Sequence, residues 1–107
     1  SRRLSVLIYT STKAFPDDEK FGLVSQMRRA AISVSSNLAE GSAKRTGKEK
    51  ARFTETAYCS LMELLNQAII SNDLEFLNND TYLKIRTSID EIAAKATRLR
   101  EAQLKLK

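Results

Sequence analysis

Several residue types that carry enzyme chemistry are absent or nearly absent from the sequence. Its 107 residues include no histidine, no tryptophan and a single cysteine. Without histidine, the chain can build neither the common zinc sites nor the nucleophilic triads that depend on an imidazole. Cys59 has no partner for a disulfide within the chain. The composition therefore favours a reducing compartment, and we expect a cytoplasmic protein whose one cysteine is a small packed residue.

Helix-breaking residues and long apolar segments are equally scarce. Three glycines and one proline leave few turns, which favours long helices with short connections. No apolar segment approaches the ~20 residues that span a bilayer. The opening residues SRRLSVLIYT lack the length and cleavage pattern of a signal peptide. The length suits one hydrophobic core, so we expect residues 1–107 to form a single domain with no membrane partner.

Apolar residues recur every three or four positions in four segments, which is the period of an amphipathic helix. We predict helices from the first residues to about Ala14, from about Asp18 to Glu40, from Thr46 to about Asn72, and from Asn79 or Asp80 into the final residues. The predicted core positions are Leu4, Leu7, Ile8, Val24, Met27, Ala31, Val34, Leu38, Phe53, Ala57, Leu61, Leu64, Ala68, Leu83 or Ile85, Ile89, Ile92, Ala96 and Leu99. Short connections make successive helices antiparallel, so the predicted fold is an all-α, up-down-up-down four-helix bundle.

Polar residues at the predicted helix ends supply start and stop signals. Asp17 or Asp18 is expected to accept backbone N–H bonds at the start of the second helix. Gly41 is expected to end that helix in the left-handed conformation that glycine adopts readily. Thr46 and Glu49 have the spacing of a capping box, which predicts the start of the third helix.

The net charge of +5 is unevenly distributed along the sequence. Eight basic residues and two acidic ones lie between Lys20 and Arg52, whereas residues 53–83 contain five acids and no base. One end of the bundle is therefore expected to be electropositive and to suit a phosphate backbone. The predicted nucleic-acid-binding residues are Arg28, Lys44, Arg45, Lys48, Lys50 and Arg52, with Arg2 and Arg3 as further contributors. The alternative interpretation is a solvated loop and a charged helix face.

A second pattern is a stripe of polar residues along one side of the second helix. At 100° per residue, its members on that helix fall within about 80° of one another, and a comparable stripe follows the third helix. The predicted polar seam comprises Gln26, Arg29, Ser33, Asn37, Glu40, Ser60, Glu63 and Gln67. If the two stripes meet, Arg29 can pair with Glu63 or Glu40, and Asn37 can bond Ser60 or Gln67. We interpret them as a structural seam within the bundle or between subunits.

Two other interpretations of the seam stay open at this stage. A hydrolase would use Glu40 and Glu63 as paired carboxylates, but a neighbouring Arg29 favours their ionised forms and opposes a general acid. The other interpretation is a site for a small ligand or an ion. We predict no catalytic residue, no metal ligand, no cofactor and no small-molecule substrate, and therefore a protein that is not an enzyme.

The segments FPDDEKFGLVSQMRRAAISVSSNLAEGSAKR and RFTETAYCSLMEL together resemble the 23S ribosomal RNA intervening sequence proteins. The resemblance covers roughly residues 15–69 and includes most of the polar stripe. It implies a bacterial four-helix bundle encoded in, or related to, insertions within 23S ribosomal RNA genes. The sequence is also similar to the accessory variability proteins of diversity-generating retroelements, which form homopentamers and bind nucleic acid through a basic surface.

The resemblance implies that the partners are other copies of the chain, as a homopentamer, and RNA or DNA. Combined with the charge distribution, it predicts a non-enzymatic oligomeric bundle that binds structured RNA or other nucleic acid. The alternative is a protein–protein interaction or scaffolding module that binds no nucleic acid.

Overall fold

The computed structural model of the chain describes residues 1–106, which form four α-helices and one 3₁₀ turn and contain no β-strand. The helices are α1 (Arg2–Thr12), α2 (Leu23–Ser42), α3 (Gly47–Asp73) and α4 (Asn79–Leu104), and the 3₁₀ turn is Asp17–Glu19. The predicted all-α fold class is confirmed. No helix within these residues is both long enough and apolar enough to cross a membrane.

Contacts between the helices establish their relative directions, because residue numbers rise along one helix as they fall along its neighbour. These contacts are Thr12–Arg28 and Ser1–Ser35 between α1 and α2, Ser33–Ser60 and Gly41–Phe53 between α2 and α3, and Thr54–Gln103 and Asn72–Asn79 between α3 and α4. Each consecutive pair is antiparallel, and α1 also packs against α4. The order is therefore up-down-up-down around one core.

The core consists mainly of the apolar positions predicted from helical spacing. Its fully buried members include Leu4, Ile8, Met27, Ala31, Val34, Leu61, Leu64, Ala68, Ile85 and Ile89. At the end of the bundle formed by the first and third connections, the rings of Phe15 and Phe76 lie 5.5 Å apart. Of the two alternatives Leu83 and Ile85, the core residue is Ile85, because Leu83 is 57% exposed. The predicted core position Leu99 is wrong, because it is 43% exposed.

The helices differ in length, so α1 accompanies only part of the bundle. α1 has 11 residues, whereas α3 has 27 and α4 has 26. Ser1 lies beside Ser35, so within the described residues the last turns of α2 pack on α3 without α1 alongside. The buried residues of this part are small: Gly41, Gly47, Ala51, Ala57 and Ala96. Small side chains let α3 approach both α2 and α4 closely here.

The first connection differs from the prediction. α1 ends at Thr12, and α2 begins only at Leu23, so Asp17 and Asp18 do not cap it. Pro16 has an extended backbone, and its carbonyl accepts a bond from the Glu19 N–H at 2.9 Å, which folds the acidic residues into a 3₁₀ turn. The residue that precedes α2 is Gly22, which offers no side-chain cap.

The two later helix starts are capped by side chains. Thr46 Oγ1 accepts from the Glu49 backbone N–H at 3.1 Å and donates to the Glu49 carboxylate at 3.0 Å, which confirms the predicted pairing at the start of α3. The cap of α4 is Asn78 rather than Asn79 or Asp80, since Asn78 Oδ1 accepts from the Thr81 N–H at 2.8 Å.

Gly41 does not end α2 in a left-handed conformation, so this prediction is wrong. It lies inside the helix, and no glycine of residues 1–106 has a positive φ. Its small size serves packing instead, because a Cβ atom there would lie 2.9 Å from the Phe53 Cβ. Gly47 has the same role against α4, since its Cβ would lie 2.0 Å from the Gln103 carbonyl oxygen.

Replacing Gly47 by alanine is therefore expected to lower the free energy of unfolding by about 1–3 kcal/mol, the usual cost of overpacking. Gly41→Ala is expected to cost less, because the displaced neighbour is 2.9 Å rather than 2.0 Å away. Thermal denaturation followed by circular dichroism measures both. Ser36→Ala, at an exposed position, serves as the control and should change stability by no more than about 0.5 kcal/mol. A Gly47→Ala protein as stable as the wild type would contradict this packing.

Candidate nucleic-acid interface

The connection between α2 and α3 lies against the C-terminal end of α4. Gly47, the first residue of α3, contacts both the Gln103 backbone and the Leu106 side chain. The cations around the connection are therefore joined by cations of α4. We call this group the basic end: Lys44, Arg45, Lys48, Lys50, Arg52, Arg98, Arg100 and Lys105. The same region holds four acids, namely Glu40, Glu49, Glu55 and Glu101.

The α4 cations are functional candidates that sequence reasoning missed. In the sequence they are separated from the loop cluster by the acidic segment 53–83. Only the antiparallel pairing of α3 with α4 returns the end of the chain to the start of α3. The signal available in the sequence was the fourth helix itself, because an up-down bundle places its last residues beside the second connection.

Two of the predicted cations have structural contacts. The Lys50 ammonium donates to the Ser42 carbonyl at 3.2 Å, and the Lys44 ammonium lies 4.9 Å from the centre of the Phe53 ring. Both side chains are half-buried. They bind the end of α2 to the start of α3 and keep their positive charge at the surface.

The other three predicted cations of the basic end, which we call the loop cations, are free: Arg45 lies in the connection, and Lys48 and Arg52 lie in the first two turns of α3. Arg45, Lys48 and Arg52 are exposed, and their side chains make no hydrogen bond or ion pair with any part of residues 1–106. On α4, Arg100 lies 3.6 Å from Glu55, with both side chains substantially exposed. Such surface pairs contribute only about 0–1 kcal/mol, so Arg100 can exchange this partner for a phosphate.

The start of α1 adds positive charge on a neighbouring side. Arg2 and Arg3 are exposed on α1, and α1 packs against α4, which carries the exposed Lys95. Positive charge therefore extends from the basic end along the α1–α4 side.

Arg28 does not lie at the basic end. Sixteen residues separate it from Lys44, which corresponds to about 24 Å along the axis of α2. Its guanidinium donates to Thr12 Oγ1 at 3.0 Å and to the Tyr9 carbonyl at 3.3 Å. The structure thus separates Arg28 from the other predicted nucleic-acid contacts and places it between α1 and α2.

Part of the predicted polar seam meets between α2 and α3. The hydroxyls of Ser33 and Ser60 are hydrogen-bonded at 2.8 Å. The Asn37 amide donates to the Ser33 carbonyl at 2.8 Å and to the Ser33 hydroxyl at 3.1 Å. Asn37 therefore supports the inter-helix serine pair from its own helix. The predicted bond from Asn37 to Ser60 or Gln67 is not formed.

The long side chains of the seam lie beside this contact rather than in it. Gln26, Arg29 and Glu40 are exposed, and the only ion pairs within residues 1–106 are Arg86–Asp90 and Arg100–Glu55. The expected pairing of Arg29 with Glu63 or Glu40 is thus not formed. The close approach at Ser33 and Ser60 leaves no space between the helices for longer side chains.

Gln67 is the one buried long residue of the seam. Its side chain is 5% exposed, and its Nε2 donates to the Glu63 carboxylate at 3.2 Å. Its Oε1 is buried without a hydrogen-bond partner in the described residues. An unpaired buried acceptor is costly, so this position has capacity for one more donor.

The geometry separates the two carboxylates of the hydrolytic interpretation. Glu40 adjoins the Gly41–Phe53 contact, so Glu63 lies about ten residues, or about 15 Å, further along α3. Carboxylate pairs that cleave a bond together lie about 5–10 Å apart. Within residues 1–106 no group of three or more potential metal-ligating side chains occurs.

Cys59 is exposed, so its prediction as a packed residue is wrong.

Comparison with known proteins supplies an independent assignment. No curated protein matches the sequence. A protein-family model described as the 23S rRNA-intervening sequence protein matches residues 1–98. The match includes α1, α2, α3 and most of α4. Because the match covers most of the sequence, the chain belongs to the family of 23S rRNA-intervening sequence proteins.

Proposed function

We propose that this protein is a non-enzymatic, oligomeric helical bundle that binds structured RNA or other nucleic acid through its basic end. The observation that carries the proposal is the meeting of free loop cations with the cations of α4. Arg45, Lys48 and Arg52 have no partner in residues 1–106 that would have to be displaced. Membership in a family named for ribosomal RNA insertions supports RNA as the first ligand to test.

The chemistry of the basic end favours contacts to phosphates. Lysine and arginine neutralise backbone charge and release counterions, which makes binding strongly dependent on salt. Binding of single strands usually adds aromatic rings on which bases stack. The ring nearest the loop cations, Phe53, is half-buried beneath Lys44. We therefore propose a folded or duplex backbone as the ligand, bound with little sequence specificity.

The opposite end of the bundle is rich in acids and repels a polyanion. The two connections there and the helix ends beside the second of them, residues 13–22 and 73–80, contain six acids and two lysines. Fields of opposite sign at the two ends orient an approaching nucleic acid and raise its association rate with the basic end. The protein would thus contact RNA end-on, through the turn between α2 and α3 and the end of α4.

Replacing Arg45, Lys48 and Arg52 together by glutamine is expected to weaken binding to 23S ribosomal RNA fragments. Each lost phosphate contact should also reduce the slope of log K against log salt by about 0.7–0.9. Filter binding across a salt series measures both effects. The matched control replaces Lys13, Lys20 and Lys84 by glutamine, which removes the same charge at exposed positions remote from the basic end.

A loss of RNA retention only in the first variant supports the proposal. Equal retention by both variants and the wild type would contradict it. If the wild type itself shows no salt-dependent retention, the alternative gains support, namely a scaffolding module whose basic end recruits an acidic protein.

We further propose that copies of the chain associate through the outer face of α2, as homopentamers in line with the family resemblance. Ile32 on this face is 44% exposed, beside Arg29 and Ser36. A ring would bring several basic ends together, and multivalent contact raises apparent affinity without new contacts. The expected compartment is the bacterial cytoplasm.

Ile32→Lys is expected to reduce the oligomer mass while leaving helicity unchanged, because the residue is exposed within one subunit. Light scattering after size exclusion measures the mass. A pentamer would have about five times the 12.0 kDa of one chain. Val6→Lys is the control, because Val6 is 60% exposed on α1. An assembly that persists in Ile32→Lys but dissociates in Val6→Lys would assign the contact to α1 instead.

A further inference from the structure

A cavity of about 300 Å³ lies at the end of the bundle opposite the basic end, between the end of α1, the first connection and α2. Three cations line it, Lys13, Lys20 and Arg28, together with one acid, Asp17. Phe15 and Val24 form an apolar wall. Neither the family assignment nor the proposed nucleic-acid function uses this cavity.

Arg28 carries a positive charge that forms no ion pair with any acid of residues 1–106. Its Nε donates to Thr12 Oγ1, its Nη2 donates to the Tyr9 carbonyl, and its guanidinium lies 4.6 Å from the centre of the Tyr9 ring. All three partners are uncharged. No carboxylate of residues 1–106 lies within 4.0 Å of it, although the side chain is half-buried. A half-buried charge without a counter-ion is unfavourable.

The guanidinium is held in a fixed orientation before any ligand binds. Thr12 is 2% exposed, and its hydroxyl donates to the Ile8 carbonyl at 2.8 Å, so towards Arg28 it serves as an acceptor. These contacts occupy the edge of Arg28 that carries Nε and Nη2. Of the five N–H donors of an arginine, three stay without a partner in the described chain. Two of them belong to Nη1 and one belongs to Nη2. One N–H from each nitrogen forms the end of the planar group, so this end is open to a bidentate acceptor.

We propose that this cavity binds a small oxyanion, the phosphate or carboxylate group of a small molecule. The open end of Arg28 provides two parallel hydrogen bonds, and Lys13 and Lys20 provide further positive charge. Phe15 and Val24 contact an apolar part of the ligand. Asp17 opposes binding and limits the site to ligands of low charge.

A small ligand fits this cavity better than RNA does. Its volume is at the lower end of the range for small-molecule sites. The surrounding residues 13–22 and 73–80 carry six acids against two lysines, which repels a polyanion at long range. Within the cavity itself, three cations face one acid, and a single oxyanion senses mainly these close charges.

The test is a titration followed by amide NMR, with inorganic phosphate in one arm and acetate in the other, at constant ionic strength. We expect saturable shifts confined to residues 12–28. Saturation by phosphate alone identifies phosphoryl ligands, and saturation by acetate alone identifies carboxylates. Shifts that are linear with concentration in both arms would overturn the proposal.

Three variants separate the site from general electrostatics. Arg28→Lys retains the charge but lacks the planar fork, so binding should weaken about tenfold or more. Asp17→Asn should tighten binding, because it removes the opposing charge. Arg28 also connects α1 to α2, and its replacement can perturb folding. Lys13→Gln with Lys20→Gln, at exposed positions, weakens binding without that risk. Equal affinity in all three variants would overturn the assignment.

The phosphate site and the nucleic-acid surface are independent in this scheme. The Arg45, Lys48 and Arg52 glutamine variant should retain its phosphate-dependent shifts in residues 12–28. If these shifts disappear in that variant, the phosphate is bound at the basic end and the cavity is not its site.

Discussion

Direct backbone contact between α3 and α4 at Gly47 is the constraint on which the basic end depends. Only a hydrogen atom fits between Gly47 and the Gln103 carbonyl, and Thr54 bonds Gln103 about two turns further along α3 at 2.7 Å. These contacts fix the end of α4 beside the turn that carries the loop cations. With a larger residue at position 47, the cations of α4 would move away from the loop cations. Packing of small residues therefore creates the electrostatic surface.

The up-down topology converts a charge pattern along the sequence into a charge difference across the molecule. The first and third connections meet at one end and are rich in acids, whereas the second connection meets the end of α4 and is rich in bases. The helices between them bury few charges, since the core is aliphatic. The resulting field is a property of chain order and helix length, and it needs no ion-pair network to maintain it.

Features that depend on one helix were predictable from the sequence, whereas features that depend on the register between helices were not. The core spacing and the Thr46–Glu49 pairing follow from local periodicity and were confirmed. Arg29 was assigned a carboxylate partner from its position on a stripe, but the approach of Ser33 to Ser60 leaves it outside the contact. Gly41 was predicted to end α2 because glycine adopts the left-handed conformation readily. The structure uses its lack of a side chain instead, which allows α2 to contact Phe53. The α4 cations follow from the predicted up-down order, but they were missed because charge was compared only along the sequence.

Two adjacent arginines show how helix geometry separates roles that look identical in sequence. Arg28 and Arg29 differ by about 100° around α2. Arg28 consequently faces α1, where a hydroxyl, a carbonyl and a ring hold it in a cavity of about 300 Å³. Arg29 faces solvent on the outer side of α2, beside Ile32. Neither lies at the basic end. Charge alone therefore does not define the nucleic-acid surface of this bundle, because a cation contributes to it only where the helix ends bring it to the loop.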